Sequence, residues 1–204
     1  MGKIILASAS ERRSRILAEC GIDHEVVVSG ADEKIGEGSL VSEVVQFNAV
    51  AKAETVVGKC SDSIIIGADT LVVHGEDVLG KPSDEDHARW MLKKFQGEKV
   101  EVYSGVCVIN ASTGEKAAGY DKSELAVASL TDDEVEKFFR LLGPYDKAGG
   151  FSIEGAGALL FDDIKGSYFN ILGLSMMKLR QLFDEIGLDI ADYIIKKEKG
   201  KIQN

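Results

Sequence analysis

The apolar positions change period several times along the chain, and each change predicts an element. Residues 3–7 form a short apolar run that reads as a buried strand. After Ser8-Ala9-Ser10, apolar residues recur at Ile16, Leu17 and Cys20, the spacing of a helix that Gly21 closes. A second strand is expected at 25–28. Residues 41–57 then place Val44, Val45, Phe47, Asn48, Ala51 and Ala53 largely on one side of a long helix. Ile64-Ile65-Ile66 begins a third strand, which continues past Asp69 through Leu71-Val72-Val73 to a turn at 74–77.

In the second half, Ser83-Asp84-Glu85-Asp86 opens an acidic helix with an apolar face of Trp90, Met91 and Phe95, ended by Gly97. Long strands are expected at 100–109 and 120–130, around the turn Ser112-Thr113-Gly114. Thr131 and Glu134 have capping-box spacing for a helix that ends at Gly143-Pro144. A glycine-rich segment, 146–157, reads as a functional loop. A strand at 159–161 and a last helix at 171–186 follow, and a Lys-rich tail closes the sequence. Alternating strands and helices followed by paired long strands indicate an α/β or α+β mixed sheet with a cleft.

Composition narrows the function classes. The chain has 204 residues, 45% of them hydrophobic, enough for one large domain or two lobes. Its 34 acidic and 24 basic residues give a net charge of -10, which argues against general binding to a nucleic-acid backbone. A phosphate site must then be a local basic pocket in an acidic body. Three scattered cysteines, without a CxxC pair, read as reduced thiols of a cytoplasmic protein rather than a zinc site. No run approaches the roughly 20 apolar residues of a membrane span, so no membrane partner is expected.

Several segments could carry chemistry. Ser8-Ala9-Ser10-Glu11-Arg12-Arg13 sits between a strand and a helix start, where amides, hydroxyls and guanidinium groups can grip a phosphate. It reads equally well as a capped helix with solvated arginines. Asp69 stands at the point where α/β proteins place active-site carboxylates, able to bind metal or activate water, although a turn-forming role is the alternative. Glu33, in the loop after Gly30-Ala31-Asp32, is unremarked on its own. Lys52 lies on the 41–57 helix and reads as solvated unless a partner draws it in. Residues 75–81 nearly match Gly-x-x-x-x-Gly-Lys, but Pro82 stands where the Ser/Thr belongs, so a Walker loop is rejected while Lys81 stays a candidate point charge. In Asp146-Lys147-Ala148-Gly149-Gly150, glycines would let backbone approach a ligand beside Lys147. The histidines are isolated and no Gly-x-Ser-x-Gly elbow exists, which removes triad hydrolysis.

Taken in order, Leu6-Ala7-Ser8-Ala9-Ser10-Glu11-Arg12-Arg13, Gly67-Ala68-Asp69-Thr70, Gly80-Lys81-Pro82, Asp146-Lys147-Ala148-Gly149-Gly150 and Gly166-Ser167-Tyr168 resemble the Maf family of nucleoside triphosphate pyrophosphatases. The resemblance covers nearly the whole chain. It implies a two-lobed α/β fold with a central cleft, related to inosine-triphosphate pyrophosphatases: one domain over 1–190 and a basic tail over 191–204. It implies hydrolysis of a nucleoside triphosphate to monophosphate and pyrophosphate with a divalent metal, Mg²⁺ or Mn²⁺, held by Glu33 and Asp69. Asp69, Glu33, Lys52 and Lys81 match the catalytic positions. Ser8, Arg12, Arg13, Thr70, Lys147 and Glu154 match substrate-binding positions, with Arg12, Thr70 and Glu154 tied to base choice. A homodimer is a further expectation from the family.

Three departures from the family pattern occur. Glu11 replaces the usual Pro and Ser175 falls where Gly-Leu-Pro-Met is common, and neither supplies chemistry. Glu154, which bears on substrate, stands where the dTTP- and UTP-preferring branch usually has Gln. Glu154 resembles the branch acting on 7-methyl-GTP, whereas Arg12 and Thr70 resemble the dTTP/UTP branch. A carboxylate only accepts hydrogen bonds, while Gln also donates, so the specificity signature is mixed. The rival readings are an ITP/XTP pyrophosphatase on the related fold and a non-catalytic nucleotide-binding regulator of cell division.

Overall fold

In a computed structural model, which describes residues 2–34, 39–141, 148–150 and 152–195, the elements are β1 (Lys3–Leu6), α1 (Glu11–Glu19), β2 (Glu25–Val26), α2 (Val41–Val57), β3 (Ser63–His74), β4 (Asp77–Leu79), α3 (Glu85–Phe95), β5 (Lys99–Asn110), β6 (Lys116–Val127), α4 (Asp132–Leu141), β7 (Phe161–Lys165), α5 (Tyr168–Ile171) and α6 (Met176–Glu185). Seven strands make a mixed sheet in the order β2-β1-β3-β5-β6-β7, with β4 on β3. β1 is parallel to both β2 and β3; β4 and β7 pair antiparallel to β3 and β6. This is the α/β mixed sheet that the periodicity indicated.

The chain divides into two compact units, and β3, β5 and β6 each run from one into the other, changing unit after Asp69, Ser104 and Tyr120. The first unit comprises Met1–Asp69, Gly105–Tyr120 and Met176–Asn204. Its core joins Ile5 and Ala7 of the first strand segment, Ala49, Ala53 and Val56 of α2, Ile65 of β3, and Cys107 and Ile109 of β5. Small residues let α2 lie close against the strands. A Cβ on Gly67 would clash with the Ala49 carbonyl and stand 2.9 Å from the Ala53 amide; one on Gly105 would clash with the Val45 carbonyl. Glycine is required at both positions for this backbone approach. The end of the described chain is docked in the same unit: Ile194 bridges Ile22, and the Ile195 N–H donates to the Gly21 carbonyl (2.8 Å). Docked chain therefore extends to Ile195, into the stretch expected to be tail.

The second unit comprises Thr70–Ser104 and Asp121–Ser175. α3 and α4 pack through Leu92 and Val135, with Leu160 completing that core. Both helices start as the sequence indicates. Asp84 accepts from the His87 N–H (2.8 Å), and Thr131 and Glu134 form a reciprocal capping box.

Several expectations change: β2 is only Glu25–Val26, and Phe47 and Trp90, expected on apolar helix faces, are exposed. β6 begins at Lys116 rather than 120, because the turn closed by Gly114 N–H on the Asn110 carbonyl (2.8 Å) lets pairing resume at once. The run 159–161 is mostly the end of a 3₁₀ turn, Gly155–Leu160; Leu160 is buried while Leu159 is exposed, and the strand starts at Phe161. The helix expected over 171–186 begins only at Met176, and Ile171 instead ends the separate short helix α5. Gly173, at φ +104°, cannot continue a helix, so the chain turns there. The helix end at Gly143-Pro144 lies outside the described residues.

Candidate functional site

The site is built where β1, α1, α2 and β3 meet inside the first unit. The chain leaves β1 through Ala7, whose N–H donates to the Ile66 carbonyl (2.8 Å), and then turns into α1. Ser10 caps that helix, accepting from the Arg13 N–H (3.5 Å). The same turn folds the Ser8 hydroxyl inward, where its oxygen accepts from the Ser10 N–H (3.2 Å) and from Arg13 Nη1 (3.0 Å). Ser8 and Arg13 are both buried. Ser8 also lines an open pocket of about 310 Å³ with Ser10, Glu11, Ser14 and Arg15. The helix is capped by Ser10, as one reading had it, but Arg13 is buried rather than solvated.

α2 supplies the next layer. Asn48 and Lys52 stand one turn apart on one face, and both reach Asp69. Lys52 Nζ donates to Asp69 Oδ1 (2.8 Å) and lies 2.8 Å from Glu33 Oε1. Asn48 Nδ2 donates to Asp69 Oδ2 (2.8 Å). Asp69 is therefore engaged at both oxygens, in the middle of β3 rather than at its end. Lys52 is only 7% exposed, so this helical lysine is not solvated; Asp69 is its partner, with Glu33 at the solvent edge, its side chain 57% exposed.

Burial pushes the Arg13 guanidinium pKa down from its ordinary value, and Arg12 adds to that, while the carboxylates of Asp69 and Glu33 oppose it. Two buried cations, Arg13 and Lys52, thus share one buried carboxylate, with Glu33 balancing them from the edge. An arrangement of this kind can hold an anion against the cations, or a second cation against the carboxylates. No group of three His, Cys, Asp or Glu side chains positioned for a metal occurs among the described residues. The oxygen donors converging here are the pair Glu33 and Asp69.

The remaining expected residues fall elsewhere. Arg12, half-buried on α1, acts on Arg13 through its charge. Thr70 opens the second unit, with its hydroxyl 3.0 Å from Ser104 Oγ and donating to the Gly173 carbonyl (3.2 Å). Lys81 is exposed just past β4. Glu154 is half-buried and accepts from the Ser152 hydroxyl (3.2 Å). Lys147 lies outside the described residues. Sequence reasoning missed Asn48. Its only signal was an amide among Val44, Val45, Ala49 and Ala53 on the face that also carries Lys52.

The family model described as "Maf-like protein" matches residues 3–186. The chain belongs to the Maf family. Among curated Maf-like relatives, the protein named dTTP/UTP pyrophosphatase from Desulforamulus reducens is 38% identical over 191 residues, covering 94% of this chain and 100% of that protein. One of the same name from Caldicellulosiruptor bescii is 37% identical over 194 residues, covering 93% and 98%. A solved HAM1 protein from Coxiella burnetii covers 74% of the chain at 11% identity, with a TM-score of 0.45. The family match thus spans β1 through α6 and includes every residue of the buried charge cluster.

Proposed function

We propose that this chain hydrolyses a nucleoside triphosphate to the monophosphate and pyrophosphate, and that dTTP and UTP are its substrates. The relatives' names support the reaction and the bases. The observation that carries the reading on this chain's own residues is the buried set Arg13, Lys52 and Asp69, with Glu33 at its edge. Buried charges are costly unless something compensates them, and a site that gathers two buried cations, Arg13 and Lys52, suits a polyanionic substrate.

In this mechanism the Ser8 hydroxyl, Arg13 and the amides opening α1 bind phosphate oxygens. Lys52 neutralises charge that builds on the phosphates as the bond breaks. Asp69 orients a water molecule and accepts its proton as the oxygen joins the α-phosphorus and pyrophosphate departs. Glu33 and Asp69 would hold the divalent metal, Mg²⁺ or Mn²⁺. The donor set fits, since both carboxylates already converge on one cationic centre, Lys52 Nζ, and Mg²⁺ is commonly bound by one or two carboxylates with phosphate and water completing its shell. When bound, such an ion supplies charge neutralisation at the phosphate oxygens. The family resemblance adds Lys81 as a phosphate contact, Lys147 as a substrate contact, and Arg12, Thr70 and Glu154 as base-selecting residues.

The test is a panel of dTTP, UTP, CTP, 7-methyl-GTP and ITP with Mg²⁺ or Mn²⁺, reading monophosphate and pyrophosphate in equal amounts. The highest kcat/KM is expected with dTTP or UTP, and Glu154→Gln should raise that preference further. Binding without release of pyrophosphate from any of the five would overturn the reading. Sedimentation of the purified chain tests the homodimer that the resemblance implies.

A further inference from the structure

The amide of Asn48 makes three hydrogen bonds inside the first unit. Its Oδ1 accepts from the Lys34 N–H (2.9 Å); its Nδ2 donates to the Lys34 carbonyl (3.0 Å) and to Asp69 Oδ2 (2.8 Å). Both Nδ2 protons are therefore used. The orientation of the amide is fixed by chemistry, since a flipped group would set Oδ1 against a carbonyl and a carboxylate, both acceptors. Asn48 is 2% exposed, on a helix face where the buried side chains besides Lys52 are apolar, Val44, Val45, Ala49, Ala53 and Val56. An amide at such a place costs free energy unless every polar atom is satisfied, and here each one is.

The bonds reach two different parts of the cluster. Lys34 directly follows Glu33 in a stretch, 27–34, without regular secondary structure. The paired bonds to its N–H and carbonyl tether that stretch to α2, and Lys34 Nζ above the Phe47 ring (3.9 Å) adds a second tie. The third bond holds one oxygen of Asp69, leaving Oδ1 as the oxygen that shares Lys52 with Glu33. One side chain thus sets both the position of the Glu33 backbone and the rotation of the Asp69 carboxyl group.

We propose that Asn48 is a positioning residue for the reaction, holding Glu33 and Asp69 at the separation and orientation at which they act together. The inference rests on the proposed pyrophosphatase reading. Groups that orient metal-binding or catalytic carboxylates through hydrogen bonds typically matter by 10- to 100-fold in metal affinity or activity.

The test compares wild type with Asn48→Leu, which fills the same space among apolar neighbours, and with Asn48→Asp, which keeps the shape but cannot donate when ionised. Three quantities are measured: kcat and KM for dTTP, the Kd for Mn²⁺ alone by electron paramagnetic resonance, and hydrogen exchange at the Lys34 amide. In both variants kcat should fall about 10- to 100-fold with KM within about threefold, and Mn²⁺ should bind about 10- to 100-fold more weakly. In Asn48→Leu the Lys34 amide should exchange at least about tenfold faster, with Tm within a few degrees of wild type. Wild-type kcat and Mn²⁺ affinity in Asn48→Leu, or an unchanged Lys34 amide, would overturn the inference. A wild-type chain that releases no pyrophosphate from any nucleotide would sink the pyrophosphatase reading instead, and the Mn²⁺ and exchange measurements would still decide the role of Asn48. If Asn48→Leu fails to fold, the Asn48→Asp kinetics and Mn²⁺ affinity decide it.

Discussion

The two units bury polar groups of different kinds. Among the described residues, the first unit buries three charged side chains, Arg13, Lys52 and Asp69, along with Ser8, Asn48 and Ser63. In the second unit the buried polar side chains are all neutral: Ser104, Ser123, Ser167, Asn170 and Ser175. Most of their polar atoms bond one another or the backbone, although Asn170 Oδ1 is buried without a partner among the described residues and the Ser175 hydroxyl donates to Asp121 Oδ2 (2.6 Å). Asn170 Nδ2 donates to the Val102 carbonyl (3.0 Å) and to Ser123 Oγ (2.9 Å), and the Ser104 hydroxyl donates to the Asn170 carbonyl (2.9 Å). Such a network pins α5 to β5 and β6 with modest electrostatic cost. Buried charges are a poor route to stability, because desolvation offsets most of their attraction. Under the proposed function, their concentration in one unit is where the chemistry sits, and the neutral network serves shape.

The largest expected effect that would break this contrast comes from Lys52→Met, which removes the cation at 2.8 Å from both Asp69 and Glu33. It should destabilise the protein by about 3 to 5 kcal/mol by denaturant unfolding, as expected when one partner of a buried ion pair is lost, and also abolish turnover. Asn170→Ala in the second unit leaves the Val102 carbonyl without its donor. It should cost about 1 to 3 kcal/mol while kcat, assayed well below the lowered Tm, stays within about threefold. Equal losses of activity in the two variants would erase the distinction.

A smaller effect concerns pH. Burial pushes the Cys107 thiol up to about 12 from 9.0. A group whose folded pKa is raised stabilises fully below its unfolded pKa and loses that contribution as pH climbs towards the folded value. Between about pH 9 and 12 the protein should therefore lose stability through this thiol, by about 1 kcal/mol at pH 10. Cys107→Ala should flatten that part of the stability–pH curve, read by urea midpoints at pH 8 and 10. The smallest effect on stability is expected from Glu33→Gln. The side chain is more than half exposed, so unfolding should change by less than about 1 kcal/mol. Its weight should appear in the Mg²⁺ concentration needed for half-maximal rate, which should rise.

Much of this was legible from residues alone. The full extent of α2 followed from its apolar spacing, and the helix starts after Ser8-Ala9-Ser10, at Ser83-Asp84 and at Thr131 follow from local capping chemistry that tertiary contacts do not override. Asp69 stood out because a carboxylate interrupts an apolar strand. Asn48 was silent, since a single amide on an apolar helix face carries no periodic signal and its partners, Lys34 and Asp69, lie 14 and 21 positions away. Lys52 read as solvated for the same reason: its burial depends on a partner 17 positions on, brought close by the absence of side chains at Gly67 and Gly105. The late start of α6 was missed because apolar residues recur from Ile171 to Met177 across Gly173, whose positive φ separates α5 from α6.

The most direct measurement is pyrophosphate release from dTTP by Asp69→Asn against wild type, with both proteins shown to be folded by circular dichroism. Asparagine keeps the shape at that position but cannot accept a proton from water. The account predicts that the variant folds and that its kcat drops by at least about 10³-fold, since positioning and general-base contributions are lost together. Turnover within tenfold of wild type would contradict it.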